Sequence, residues 1–232
     1  MIELAGAGVT VRTADGGHRT LLHPVTATLT EQRVAVVGAN GSGKSTLARL
    51  LNGLVAPTTG AVRVAGLDTV RDGAAVRRAV GFVFTDPDAQ LVMPTAAEDV
   101  GLSLRRSVPA GERPAAVRAA LERFGLGDHA DTPVHALSGG QKQLLALAGV
   151  LAVRPSVLVC DEPTTLLDLR WRRVVDELLA GLDQQVVLVT HDLAAAARAD
   201  RVLVVDDGRV VADDVGPAGV AAYERLMGAR PV

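Results

Sequence analysis

Gly38-Ala39-Asn40-Gly41-Ser42-Gly43-Lys44-Ser45 spaces glycines ahead of a lysine and a hydroxyl in the pattern G-x-x-x-x-G-K-[ST]. Glycines in such a loop let successive backbone N–H groups turn inward around an anion with no Cβ in the way. A helix starting at the same place adds the positive end of its dipole. In that setting Lys44 would reach the β- and γ-phosphates of a nucleotide, and the Ser45 hydroxyl would ligate Mg2+. The apolar run Val157-Leu158-Val159-Cys160 ends on two carboxylates, Asp161 and Glu162. Ligands of open α/β sheets bind outside the carboxyl ends of the strands. Asp161 would hold Mg2+ through water, and Glu162 would orient or deprotonate an attacking water. His191 follows the run Val186 to Thr190, on the same expected rim and able to contact the γ-phosphate. His18, His23, His129 and His135 show no metal-ligand spacing.

A second glycine pair lies in Leu137-Ser138-Gly139-Gly140-Gln141-Lys142-Gln143, ahead of a leucine-rich helix. Ser138 is a natural N-cap there. The two glycines would leave bare N–H groups facing outward, which makes a second anion site. A chain with two anion sites binds two phosphate groups, or shares one nucleotide with a second copy of itself.

The elements that must position these residues follow from pattern. Ile2 to Thr13 and Leu21 to Leu29 flank the turn Ala14-Asp15-Gly16-Gly17, as antiparallel strands do. Arg33 to Val37 is a β-branched run of the kind buried on both faces of a sheet. The helix after the first glycine loop is expected over Lys44 to Leu54, with Leu47, Leu50, Leu51 and Leu54 on one face. Thr95 and Glu98 spell a capping box, and Pro114 opens another helix through Phe124. Gly125 to Pro133 reads as a connector. A helix around Trp171 to Leu179, strand Val186 to Val189 and an alanine-rich helix from Leu193 follow. Val202 to Val205 and Arg209 to Ala212 flank Asp206-Asp207-Gly208 as a hairpin. Strand and helix alternating at this spacing imply a parallel α/β sheet, with the helical middle inserted into it.

Composition narrows the partners. Net charge is −2 and aromatic residues are 2% of 232, so neither a basic nucleic-acid footprint nor a base-stacking platform is expected. Of 24 basic residues only Lys44 and Lys142 are lysine, one in each glycine-rich segment. Cys160 is the single cysteine, which fits a reducing compartment, and its simplest role is a small buried residue. The first residues lack the pattern of a signal peptide, and the apolar run Leu144 to Val153 is about half of the ~20 residues a membrane-spanning helix needs. Any membrane role is therefore expected to come through a partner.

With these residues in hand, the chain resembles the ABC transporter ATPases along nearly its whole length. Gly38 to Ser45 is similar to their Walker A motif, Leu137 to Gln141 to the LSGGQ signature, and Val157 to Glu162 to Walker B with its adjoining glutamate. Asp168 falls at the D-loop aspartate and His191 at the switch histidine. The resemblance implies a P-loop NTPase of the ABC type: a mixed, largely parallel α/β core, an N-terminal antiparallel β subdomain and an inserted helical subdomain. Residues 1–88 and 156–232 would form the nucleotide-binding lobe and 89–155 the helical signature lobe of a single domain, 1–232. It implies ATP and Mg2+ as cofactors, with Glu162, His191 and Lys44 in catalysis. Gly38, Asn40, Gly41, Ser42, Gly43, Lys44, Ser45 and Thr46 would hold the nucleotide, and Ser138, Gly139, Gly140, Gln141 and Asp168 of a second copy would cover it. Ser45, Asp161 and Thr85 would serve the metal. Two subunits, favoured as a homodimer, would close on ATP and open after hydrolysis. A groove from about Phe84 to Leu104 would accept a membrane partner, leaving the chain on the cytoplasmic face of the membrane.

The chain departs from the family pattern in three places. Thr85 stands where a metal-ligating glutamine is usual, and Asp86 is a candidate substitute. Thr13 stands where an aromatic residue stacks on adenine, with Arg12 the candidate replacement. Leu166 stands where the D-loop has glycine. Asp86-Pro87-Asp88-Ala89-Gln90 is similar to the segment after the Q-loop in energy-coupling-factor ATPases, which work with a transmembrane coupling subunit and a substrate-binding membrane subunit. Asp161 to Asp168 is similar to ATPases of biotin importers, with cobalt or nickel import the alternative. The tail from Gly208 to Val232 leaves little room for a regulatory domain. Two other readings share the motifs: a non-transport ABC ATPase, and a module that senses ATP with little hydrolysis.

Overall fold

The computed structural model describes residues 1–229. In chain order the elements are β1 (Ile2–Arg12), β2 (His18–Leu29), β3 (Arg33–Val37), α1 (Lys44–Leu51), β4 (Thr59–Val64), β5 (Leu67–Asp68), α2 (Gly73–Ala79), β6 (Val80–Val83), α3 (Ala96–Leu104), α4 (Arg113–Arg123), α5 (Gly139–Ala152), β7 (Val157–Asp161), α6 (Leu169–Ala180), β8 (Gln185–Val189), α7 (Leu193–Ala197), β9 (Arg201–Asp206), β10 (Arg209–Asp214) and α8 (Gly216–Gly228). They divide into two compact units. The first comprises residues 1–80, 156–162 and 182 onward, and the second 81–155 and 163–181.

The first unit holds two sheets. β2, β1, β4 and β5 form an antiparallel sheet in that order. β9, β3, β8 and β7 run parallel, with β10 antiparallel on β9. Val34 to Val37 are all buried, as are Val157 to Asp161, so the continuous apolar runs do belong to strands covered on both faces. The register settles where chemistry can gather. Val36 of β3 pairs with Val189 of β8, and Asp161 of β7 pairs with the same Val189. The carboxyl ends of the three strands are therefore level.

One expectation in this unit is corrected. Helix α1 stops at Leu51, and Leu54 is 47% exposed. Gly53 stops it: its φ is +72°, and a Cβ there would sit 2.8 Å from the Thr69 carbonyl. The tail after Gly208 carries the expected strand and adds a helix. It forms β10 and then α8, whose Val220 joins Ala35, Val37, Ala196, Val202 and Val204 in a buried cluster. The last residues of the expected domain, 230–232, lie outside the described residues.

In the second unit α3, α4 and α5 pack on one another. The capping box at Thr95 forms as expected, with Thr95 Oγ1 accepting from the Glu98 N–H and Glu98 Oε2 accepting from the Thr95 N–H. Asp99, 8% exposed, accepts from the N–H groups of Val92 and Met93 and fixes the approach to α3. The expected connector, residues 125–133, contains a 3-10 turn at Gly127–His129.

Candidate functional site

The glycine loop between β3 and α1 is shaped by close backbone approaches. A Cβ on Gly38 would sit 2.1 Å from the Val205 carbonyl oxygen, and one on Gly43 would sit 2.7 Å from that of Leu21. Gly43 also has φ +107°, which L side chains rarely adopt. The β9–β10 turn braces the loop: the Gly208 N–H donates to Ser42 O at 2.8 Å, and the His23 N–H donates to Gly208 O at 2.7 Å. Ser42 and Lys44 are buried, and Asn40 and Gly41 are exposed at the tip. The resulting cavity of about 460 Å3 is lined by Asn40 to Thr46, Arg19 to Leu21, Glu162, Asp207 and Gly208.

Charge is concentrated on the rim. Lys44 Nζ donates to Gly38 O and Ala39 O, both at 2.9 Å, and lies 3.9 Å from Glu162 Oε1. Burial pulls the Lys44 ammonium below the usual lysine range, and Glu162 and Asp161 push it partway back. An anionic phosphate beside it would restore its affinity for the proton. Ser45 Oγ donates to Asp161 Oδ1 at 2.9 Å, and Arg49 lies 3.7 Å from Asp161 Oδ2. Burial raises the Asp161 carboxyl above its ordinary value, while the Ser45 hydroxyl and the Arg49 guanidinium oppose that rise. Glu162 has φ +53°, a strained conformation for a residue with a side chain, costing about 1–3 kcal/mol. Its N–H donates to Val189 O at 3.0 Å, and its Oε1 lies 2.7 Å from His191 Nε2. Strand register thus brings Lys44, Ser45, Asp161, Glu162 and His191 together, as the sequence led us to expect.

The donors present suit Mg2+. A hydroxyl and a carboxylate oxygen already touch at Ser45 and Asp161. No group of three or more His, Cys, Asp or Glu placed to hold a metal occurs among the described residues. Thr85 belongs to the second unit, half-buried just beyond β6.

Sequence reasoning missed part of this site. Arg49 follows Ser45 by four residues on one helix, so helical spacing was a usable signal. Arg19, Thr20, Leu21, Asp207 and Gly208 reach the cavity only through folding, and nothing in their local sequence marks them.

The second glycine segment lies in the other unit. Ser138 caps α5, accepting from the Gln141 N–H, while Gln141 Oε1 accepts from the Ser138 N–H at 2.9 Å. Gly139 faces open space. Gly140 is buried, and a Cβ there would sit 2.1 Å from the Trp171 ring. Asp168 caps α6, accepting from the Trp171 N–H at 2.9 Å, and so anchors the helix whose tryptophan covers the glycine.

Comparison with known proteins agrees with this geometry. The ABC transporter family profile matches residues 22–165. A putative ABC transporter ATP-binding protein of Deinococcus radiodurans is 49% identical over 90% of this chain and 93% of its own. The biotin transport ATP-binding protein BioM of Rhizobium etli is 42% identical over 97% and 98%. An energy-coupling factor transporter ATP-binding protein of Lactiplantibacillus plantarum is 45% identical over 82% of this chain and 70% of its own. Among solved structures, a dimeric ATP-binding cassette in a post-hydrolysis state bound to ADP and Pi aligns with TM-score 0.82 at 30% identity, covering 93% of this chain and 98% of that one. With its phosphate loop, acidic strand end and neighbouring histidine assembled on one rim, the chain belongs to the ABC transporter ATP-binding family and is an ATPase of that family.

Proposed function

We propose that this ATPase powers an importer of the energy-coupling-factor type, working as a pair of copies that clasp ATP between them. The single observation that carries the chemical part is the level rim of β3, β7 and β8, which sets Lys44, Asp161, Glu162 and His191 side by side. Lys44 and the loop N–H groups of Asn40 to Thr46 hold the β- and γ-phosphates. Glu162 orients and accepts a proton from the attacking water, with His191 fixing its carboxylate and reaching the γ-phosphate. Ser45, Asp161 and Thr85 would hold the Mg2+ carried with ATP, which would supply charge neutralisation at the phosphates. Ser138, Gly139, Gly140, Gln141 and Asp168 of the second copy close over the nucleotide. Residues 1–88 with 156–232 act as the nucleotide lobe and 89–155 as the signature lobe of one domain.

The energy-coupling-factor reading draws on the Asp86 to Gln90 segment and on the relatives named for biotin transport and energy coupling. It gives the chain two membrane partners, a transmembrane coupling subunit and a substrate-binding subunit. It places the chain at the cytoplasmic face through them. No helix among the described residues is long and apolar enough to cross a membrane. Biotin is the favoured cargo, on the 42% identity to BioM over nearly the full length of both chains. Co-expression with the two membrane subunits, followed by detergent purification and uptake of labelled biotin, cobalt or nickel into vesicles, tests this. Co-purification and ATP-dependent biotin uptake that stops in Glu162→Gln are expected. A chain that hydrolyses ATP freely yet never co-purifies with a membrane subunit contradicts the importer reading.

A further inference from the structure

His129 precedes the Ser138 turn by nine residues and belongs to no motif, yet its ring meets the turn directly. Gln141 Nε2 lies 2.9 Å from His129 Nε2, and His129 Nδ1 lies 3.4 Å from Thr132 Oγ1. The direction of each bond follows from chemistry. Gln141 Oε1 is already committed, accepting from the Ser138 N–H. Its Nε2 can only donate, so His129 Nε2 must accept and the ring proton must sit on Nδ1, facing Thr132. Flipping the Gln141 amide would point its NH2 at the Ser138 N–H, donor against donor, so the arrangement locks. The amide of Gln141 is thereby occupied at both ends. It staples Ser138 from within its own copy, and His129 holds the staple.

We propose that His129 is a positioning residue for ATP-driven pairing: through Gln141 it sets the Ser138 turn in the geometry that meets a phosphate. The proposal rests on the reading that Ser138 contacts nucleotide across a pair. Removing the imidazole frees Gln141 to rotate and leaves the capping box to hold itself. The bond chain predicts a weaker clasp with unimpaired chemistry once ATP is bound.

The test measures kcat and the apparent KM for ATP, together with ATP-dependent pairing by sedimentation in a Glu162→Gln background. His129→Ala should raise KM about two- to tenfold, the range carried by one lost hydrogen bond, with kcat within twofold. ATP-driven pairing should weaken by the same factor. His129→Gln, whose side-chain oxygen reaches the place of Nε2, should restore wild-type values, whereas His129→Asn is too short and should behave as His129→Ala. In a Gln141→Ala background, His129→Ala should add nothing. Nitrogen-15 spectra should show the His129 proton on Nδ1. A wild-type KM in His129→Ala, or a loss that His129→Gln fails to rescue while folding is intact, overturns the proposal. Failure of the Glu162→Gln parent to pair at all overturns the pairing reading and this inference with it.

Discussion

The segments at Gly38 to Ser45 and at Ser138 to Gln141 are both glycine-rich turns at the start of a helix, but they are built in opposite ways. The loop at Gly38 to Ser45 is clamped by backbone. Its glycines fit under the carbonyls of Val205 and Leu21, and its lysine is buried against two of the loop's own carbonyls. The turn at Ser138 is held by side chains: a serine, a glutamine, a histidine and a tryptophan lid. Backbone clamps cannot be adjusted by single substitutions without breaking the site. Side-chain staples can. The first segment is therefore the fixed one, and under the proposed pairing the second is where its strength would be tuned.

The comparison breaks most readily at the first segment. Glu162→Gln should lower kcat by ~10²–10⁴-fold, the range for a lost general base, with ATP binding retained in equilibrium dialysis. A loss under tenfold would mean the rim does not carry the chemistry. Gly43→Ala should cost at least ~2 kcal/mol in a urea titration, since it adds both a 2.7 Å contact and left-handed strain. An unchanged midpoint would show that the loop is not clamped. At the second segment the same measurement should be gentler. Ser138→Ala removes an N-cap and should cost ~1 kcal/mol, with KM for ATP rising and kcat less affected. The smallest effect is expected at Lys142, whose ammonium lies 2.7 Å from Asp88 Oδ1 with the aspartate 61% exposed. Lys142→Gln should change stability by no more than ~1 kcal/mol. A larger loss would make this ion pair, and not the staple, the main support of α5. Cys160 sharpens the first half of the contrast: burial pushes its thiol far up, so native protein should resist alkylation at pH 8 until β7 unfolds.

Much of this was legible before folding. The apolar runs at Arg33 to Val37, Val157 to Cys160 and Val186 to Val189 announce covered strands, and the strand-end position of Asp161 and Glu162 follows from the second and that of His191 from the third. The Thr95 and Ser138 caps read directly from side-chain chemistry. What did not read was tertiary. Helix α1 ends at Leu51 because Gly53 approaches Thr69, a contact sixteen residues away in sequence that no periodicity reports. That position 140 has no room for a side chain because Trp171 occupies its Cβ position is likewise a contact no local pattern reports. Arg19, Asp207 and Gly208 come to the cavity from a hairpin and a turn whose sequences carry no phosphate signal. Helix α8 was obscured by its glycine- and alanine-rich start, which gives little apolar periodicity.

The most direct test of the whole account is sedimentation of purified Glu162→Gln with and without ATP and Mg2+. The account predicts a single copy without nucleotide, a pair with it, and a return to single copies when Ser138→Arg is added. A chain that stays single at saturating ATP, or a pair indifferent to Ser138→Arg, would contradict it.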